Sequence, residues 1–312
     1  LAKAGVPIAG TTPESIAMAE DREQFAEICD TLGILQPPSG IAHSAAEAEH
    51  VVDRIGLPVV VRPSFVLGGR RMRVIYSLED LSQYVREIYG EGDPVVTSNP
   101  ILIDRFLESA IEIDVDAIYD GKELLLGGIM EHVEEAGVHS GDSACVTPPP
   151  TVSDEIIKEI TRITGELAAA LEVRGLINIQ FAVKGNEVFV LEANPRASRT
   201  VPFISKARGI SLAAIAARVM LGADIESLRG EGLIPEVSDR GFVAVKEAVL
   251  PWNRFPGEDS ILGPEMKSTG EVMGIGVDVG AAFGKALLAA GHTLPDRGRV
   301  FLSFADRDKP MG

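Results

Sequence analysis

Cysteine is scarce in this chain: two among 312 residues, Cys29 and Cys145, too few for a disulfide scaffold or a cysteine-caged zinc. No run approaches the roughly 18 apolar residues of a membrane-spanning helix. Residues 1–10 lack the basic, apolar and cleavage-site order of a signal peptide. Positive charge is short as well. Lysine and arginine number 29 against 46 aspartates and glutamates, leaving −17. That balance excludes wrapping of nucleic acid and docking on anionic membranes, both of which need a basic face. Any phosphate-bearing ligand must be held by a local cluster of arginines. Several familiar motifs are missing too. There is no P-loop, no Gly-x-Ser-x-Gly elbow and no His-Glu-x-x-His, and Val279 stands where a dinucleotide fingerprint beginning at Gly274 needs glycine.

What remains is a chain that is 46% hydrophobic and 24% charged, enough to bury a full core. It reads as a soluble cytosolic protein mixing helices and strands, with two or three domains by length. Helices are expected over residues 15–32, 44–55, 78–88, 151–171, 211–221 and 281–290. Strands are expected over 57–61, 72–76, 101–103, 111–119, 124–129, 177–183, 187–191 and 242–249. Residues 222–240 read as a linker. Val6-Pro7-Ile8 resembles a last strand, and 299–304 a first strand with nothing after it, so both ends look cut from a longer polypeptide.

The informative segment is the hairpin over 177–194. A three-residue turn, Lys184-Gly185-Asn186, pairs Val183 with Glu187, Gln180 with Val190 and Asn178 with Glu192. Alternation then puts Asn178, Gln180 and Glu192 on one face and Ile179, Phe181, Phe189 and Leu191 in the core. Gln180 and Glu192 become diagonal neighbours, and Asn194, held extended by Pro195, joins their face. Two amide oxygens and one carboxylate form a hard-oxygen set, suited to Mg²⁺ that also binds substrate phosphates. Arg196 and Arg199 follow as phosphate partners. A solvated polar face on an edge hairpin is the competing reading at this point.

Asn178-Ile179-Gln180-Phe181-Ala182-Val183 with Leu191-Glu192-Ala193-Asn194-Pro195-Arg196 resembles the metal-binding hairpin of the ATP-grasp superfamily. Arg62-Pro63-Ser64, Leu67-Gly68-Gly69-Arg70, Ile129-Met130-Glu131-His132, Gly137-Val138-His139-Ser140-Gly141-Asp142-Ser143-Ala144 and Met266-Lys267-Ser268-Thr269-Gly270-Glu271 narrow the likeness. Together they are similar to the large subunit of carbamoyl phosphate synthetase, in its second, carbamate-phosphorylating half.

The resemblance implies an α+β ATP-grasp fold, ATP with Mg²⁺ (or Mn²⁺), and carbamate as acceptor. It implies partnership with the rest of a large subunit and a glutaminase small subunit, feeding pyrimidine and arginine biosynthesis. Gln180, Glu192 and Asn194 would be metal ligands, and Arg62 and Arg22 nucleotide-side arginines. Gly68 and Gly69 would form a flap over the phosphates, Arg105 and Leu107 would lie against adenine, and Glu112 would meet the ribose. Gly137, Val138, His139 and Ser140 would contact the nucleotide, and Arg196 and Arg199 would lie near the transferred phosphoryl group. The division it implies is 1–10 as a preceding tail, 11–104 and 105–222 as two ATP-grasp subdomains, 223–297 as an extension, and 298–312 as the start of an allosteric domain. The rivals are another ATP-grasp ligase, such as a biotin-dependent carboxylase, and a silent fragment.

Overall fold

The computed structural model describes residues 4–63, 71–90, 100–235, 241–255, 257, 259–293, 295–299, 301–304 and 309. The helix expected over 15–32 is two helices. In α1 (Pro13–Glu20) the Thr12 side chain accepts from the Ser15 N–H and proline occupies the first turn. Asp21 then adopts an extended conformation and caps α2 (Arg22–Leu32), accepting from the Glu23 and Gln24 N–H groups. A short carboxylate competing for backbone donors breaks the helix despite continuous apolar spacing.

The smaller sheet has four strands: β1 (Ser39–Ala42), β2 (Val59–Pro63), β3 (Arg73–Ile75) and β4 (Ile101–Arg105). Their order is β1-β4-β2-β3, antiparallel throughout. Helices α3 (Ala45–Ile55) and α4 (Leu78–Gly90) supply Val51, Val52, Leu81 and Val85 against Val59, Val61, Ile101 and Ile103. Strand β1 has no counterpart among the sequence expectations, because the prolines before it mask its short apolar signal.

The larger sheet contains β5 (Ile111–Tyr119), β6 (Leu124–His132), β7 (Cys145–Thr147), β8 (Gly175–Lys184), β9 (Glu187–Asn194), β10 (Val243–Val249) and β11 (Gly270–Gly276). Its order is β11-β10-β7-β6-β5-β8-β9, again antiparallel. On one face Ile113, Val115, Ala117, Ile177, Ile179 and Phe181 are buried under α2 and α5 (Asp154–Ala170). The expected stripe of α5, Ile156, Ile160, Ile163, Leu167 and Leu171, is buried there, and Ser153 is its cap. On the other face α6 (Val201–Arg208) and α7 (Leu212–Met220) cover Ile118, Leu125 and Met130, leaving the rest of that face to a cleft.

The expected linker contains α8 (Ile225–Gly230), capped by Asp224 and seated on buried Ile225 and Leu228. Helix α9 (Val279–Ala289) packs on Val146 and Val245 through Ala282 and Ala286. Residues 6–8 and 301–304 form no strand, and Val6, Ile8, Phe301, Leu302 and Phe304 are exposed. No described strand pairs with them, and an unpaired extended segment has no ladder to hold it. Among the described residues no helix is long and apolar enough to cross a membrane.

Candidate active site

A cavity of about 460 Å³ lies between the two sheets, within the size range of small-molecule sites. Its floor is the polar face of β5, β8 and β9. The hairpin register differs from the sequence reading. Its turn is two residues, Gly185-Asn186, and Lys184 pairs with Glu187 and Val183 with Val188. Leu191 is then an extra, bulged residue, so Gln180 stands directly opposite Glu192 and Asn178 opposite Asn194. The shorter turn changes the inward set before the bulge, placing Val188 and Val190 in the core, and beyond it Ala193 is also in the core, while the bulged Leu191 lines the cavity. Strand β5 extends both pairs into rungs, Asp114–Gln180–Glu192 and Asp116–Asn178–Asn194.

Arginines line the opposite wall and the end of this floor. Arg22 and Arg62 share one anion: Arg22 is ion-paired with Asp104, and Arg62 approaches the same carboxylate at 3.8 Å. Burial, with Arg62 beside it, brings the Arg22 guanidinium down to about 10, and burial also lowers Arg62. Glu192 acts on both in the opposite direction. Two half-buried cations sharing one aspartate leave a local surplus of positive charge inside a chain of net −17. The Arg62 Nε is buried with no hydrogen-bond partner among the described residues, a donor of the kind a bound ligand satisfies.

Beyond β9 the chain turns through residues 195–200. Arg196 donates to Asn194 Oδ1 at 3.0 Å, and Asn194 Nδ2 donates to Glu192 Oε1 at 2.9 Å. Arg199 pairs with Glu271 at 3.0 Å and donates to Ser268 at 3.4 Å.

The loop after β6 closes one side. Gly137 has φ +96°, and a Cβ there would lie 2.9 Å from the Phe106 ring, so glycine is required. Its N–H donates to Glu112 Oε1 at 2.9 Å. His139 Nδ1 accepts from the Gly141 N–H at 3.0 Å, and burial lowers its pKa, which keeps the ring neutral. Ser140 Oγ accepts from Gln180 Nε2 at 2.8 Å, tying this loop to the floor. The Arg105 guanidinium instead donates to Ile55 O at the end of α3, 3.4 Å away.

Beneath the loop, His132 sits between Asp114 (3.2 Å) and Glu112 (3.4 Å). Burial alone would lower its pKa, but Cys145, Asp114 and Glu112 outweigh that and hold it well above the ordinary value. Asp114, His132 and Cys145 bring ligand atoms within 4.8 Å of one another. That buried donor set is soft and mixed, unlike a Mg²⁺ site. Gln180, Glu192 and Asn194 fit better: hard oxygens on adjoining strands, lining the cavity that the two arginines face.

Of the residues singled out from sequence, Arg22, Arg62, Arg105, Leu107, Glu112, Gly137, Val138, His139, Ser140, Gln180, Glu192, Asn194, Arg196 and Arg199 all line this one cavity. Gly68 and Gly69 lie outside the described residues. Asp104, Asp114, His132 and Lys246 were not anticipated as cavity or near-cavity groups. Lys246 donates to Ser143 O at 2.7 Å, and its only sequence signal was a charge inside an apolar strand.

Residues 21–228 match the family model described as carbamoyl-phosphate synthase L chain, ATP binding domain. The chain is 53% identical to the carbamoyl phosphate synthase large chain, C-terminal section, of Aquifex aeolicus, covering 99% of this chain and 59% of that one. It is 56% identical to the carbamoyl phosphate synthase large chain of Archaeoglobus fulgidus, covering 99% and 28%. It therefore spans just over half of the first relative and under a third of the second. Among solved structures, N5-carboxyaminoimidazole ribonucleotide synthetase of Thermus thermophilus superposes with TM-score 0.67 at 15% identity, covering 92% of this chain and 75% of that one. The biotin carboxylase domain of Hydrogenobacter thermophilus 2-oxoglutarate carboxylase, solved with MgADP, gives TM-score 0.67 at 15% identity, covering 87% and 65%. The fold is thus ATP-grasp, α+β as expected, and the chain belongs to the carbamoyl-phosphate synthase large-chain ATP-binding domain family.

Proposed function

We propose that this chain phosphorylates carbamate with ATP, releasing carbamoyl phosphate and ADP. The observation that carries the reading is the unpaired buried Arg62 donor, set with Arg22 opposite the Gln180–Glu192–Asn194 ladder. Arg22 and Arg62 bind phosphate oxygens. Leu107 and the backbone at Arg105 lie against adenine, and Glu112 orders both the ribose side and the Gly137 N–H. Gln180, Glu192 and Asn194 hold Mg²⁺ or Mn²⁺, which when bound neutralises charge on the β- and γ-phosphates. Arg196 and Arg199 flank the γ-phosphoryl group. A carbamate oxygen forms the new bond to the γ-phosphorus as the bond to the β,γ-bridging oxygen breaks, and ADP carries away that electron pair. Exclusion of water by the loop at 136–144 protects carbamate, which decomposes in water.

On this reading the chain acts with the remainder of a large subunit and a glutaminase subunit in the cytoplasm. Residues 11–104 and 105–222 are its two ATP-grasp subdomains, and 223–297 an extension of the second. The reverse partial reaction tests the acceptor. Carbamoyl phosphate and MgADP should yield ATP without glutamine, ammonia or bicarbonate. A folded chain that binds MgADP but forms no ATP refutes carbamate phosphorylation. Bicarbonate-stimulated ATP hydrolysis in its place assigns a carboxylase-type acceptor.

A further inference from the structure

Asp116 is fully buried in the middle of β5, and no lysine or arginine pairs with it among the described residues. Its partners are neutral donors. Ser198 Oγ donates to Oδ1 at 2.6 Å, Thr200 Oγ1 donates to Oδ2 at 2.6 Å, and Asn178 Nδ2 donates to Oδ1 at 3.1 Å. Ser198 Oγ also receives the Thr200 N–H at 3.2 Å. An ionised carboxylate buried without a cation is costly and persists where the surroundings supply several hydrogen bonds. Two of these three come from one short segment, 195–200, that joins β9 to α6. That segment carries Arg196 and Arg199 on either side of Ser198. It follows directly on Asn194, on the same rung as Asp116 and Asn178. The carboxylate therefore anchors the arginine loop to the strand beneath the proposed metal ladder. The Asp116 backbone is fixed as well: Gly127 is the extra residue of β6 where β5 and β6 shift register at Asp116, and a Cβ there would lie 2.6 Å from Asp116 O.

We propose that Asp116 is a positioning residue for phosphoryl transfer, holding the 195–200 loop so that Arg196 and Arg199 face the γ-phosphate. This rests on the roles given above to those arginines. Thr200→Val removes one donor without changing shape, whereas Thr200→Ser keeps the donor. In the carbamoyl-phosphate-dependent assay, Thr200→Val should lower kcat about 10- to 100-fold, as for loss of one charge-assisted hydrogen bond. Its KM for MgADP should stay near wild type, and Thr200→Ser should restore kcat. The loop itself is read separately by limited trypsin digestion of the free chain: Thr200→Val should speed cleavage after Arg196 and Arg199 and leave other sites unchanged. A wild-type chain without activity refutes the carbamate reading alone, because the digestion still tests the anchor. Unchanged cleavage after both arginines in Thr200→Val overturns the proposal. So does a proportional rise in KM and cleavage at all sites, the signature of general loosening.

Discussion

Replacing Arg62 by Met isolates the charge from the side-chain stem, which the thioether retains. In the free chain Arg62 is a poor partner for Asp104, at 3.8 Å, because Arg22 already occupies that carboxylate. Burial first and Arg62 second bring the Arg22 guanidinium down to about 10. Removing Arg62 relieves the smaller, repulsive part. The free protein should therefore melt at the same temperature or slightly higher. The ligand complex should suffer: a charge-assisted bond to a phosphate oxygen is worth about 1.5–3 kcal/mol, or roughly 10- to 100-fold in affinity. Calorimetric titration should show MgATP and MgADP weakened by that factor and adenosine unchanged. Equal weakening of adenosine, or a lower melting temperature without ligand, would show that Arg62 acts through the fold and not through phosphate.

Three further outcomes follow from the same geometry. Glu192→Gln keeps the rung and removes the one carboxylate among the three proposed ligands, so nucleotide affinity should cease to depend on Mg²⁺ while melting is unchanged; retained Mg²⁺ dependence moves the metal elsewhere. His132, held above its ordinary pKa between Asp114 and Glu112, adds stability that is complete below about pH 6.5 and is lost as pH rises through its folded value. The stability difference between wild type and His132→Gln should shrink in alkaline buffer, and a difference that grows with pH contradicts a protonated His132. Gly137→Ala should weaken nucleotide binding with little effect on the core, since φ +96° and the Phe106 ring displace the loop that meets Glu112; unaltered affinity would take that loop out of the site.

Helices and strands with clean periodicity were legible from residues alone. The stripe of α5 is one case, and the alternation of Ile113, Val115 and Ala117 another. Other features depended on competition that periodicity does not register. Asp21 outbids the helix for its own backbone donors and splits 15–32 in two. The two-residue turn and the Leu191 bulge each shift the hairpin by one residue, together turning a diagonal Gln180–Glu192 relation into a direct one. The partners change but the face does not, because the two shifts add to one full strand period and leave Asn178, Gln180, Glu192 and Asn194 on the cleft side. His132 stayed hidden for a different reason. Its significance depends on β5 and β6 pairing in the register that sets it against Asp114 and Glu112, and one strand read alone shows only a histidine after a glutamate.

The acidic balance of the chain and its anionic ligand conflict only until distance is considered. A net charge of −17 is spread over the whole surface, and at physiological salt its field fades within about 8 Å. Arg22 and Arg62 act inside the cavity, at contact range and with little solvent between. The surface should therefore govern arrival and the cavity should govern residence. Added KCl at fixed Mg²⁺ should speed association of MgATP, by screening the repulsion, and should change its dissociation much less. Stopped-flow measurement across a salt series separates the two rates. Association that slows with salt would mean that a basic approach path dominates the encounter, and the local-surplus account would fail, since steering by attraction has the opposite salt dependence.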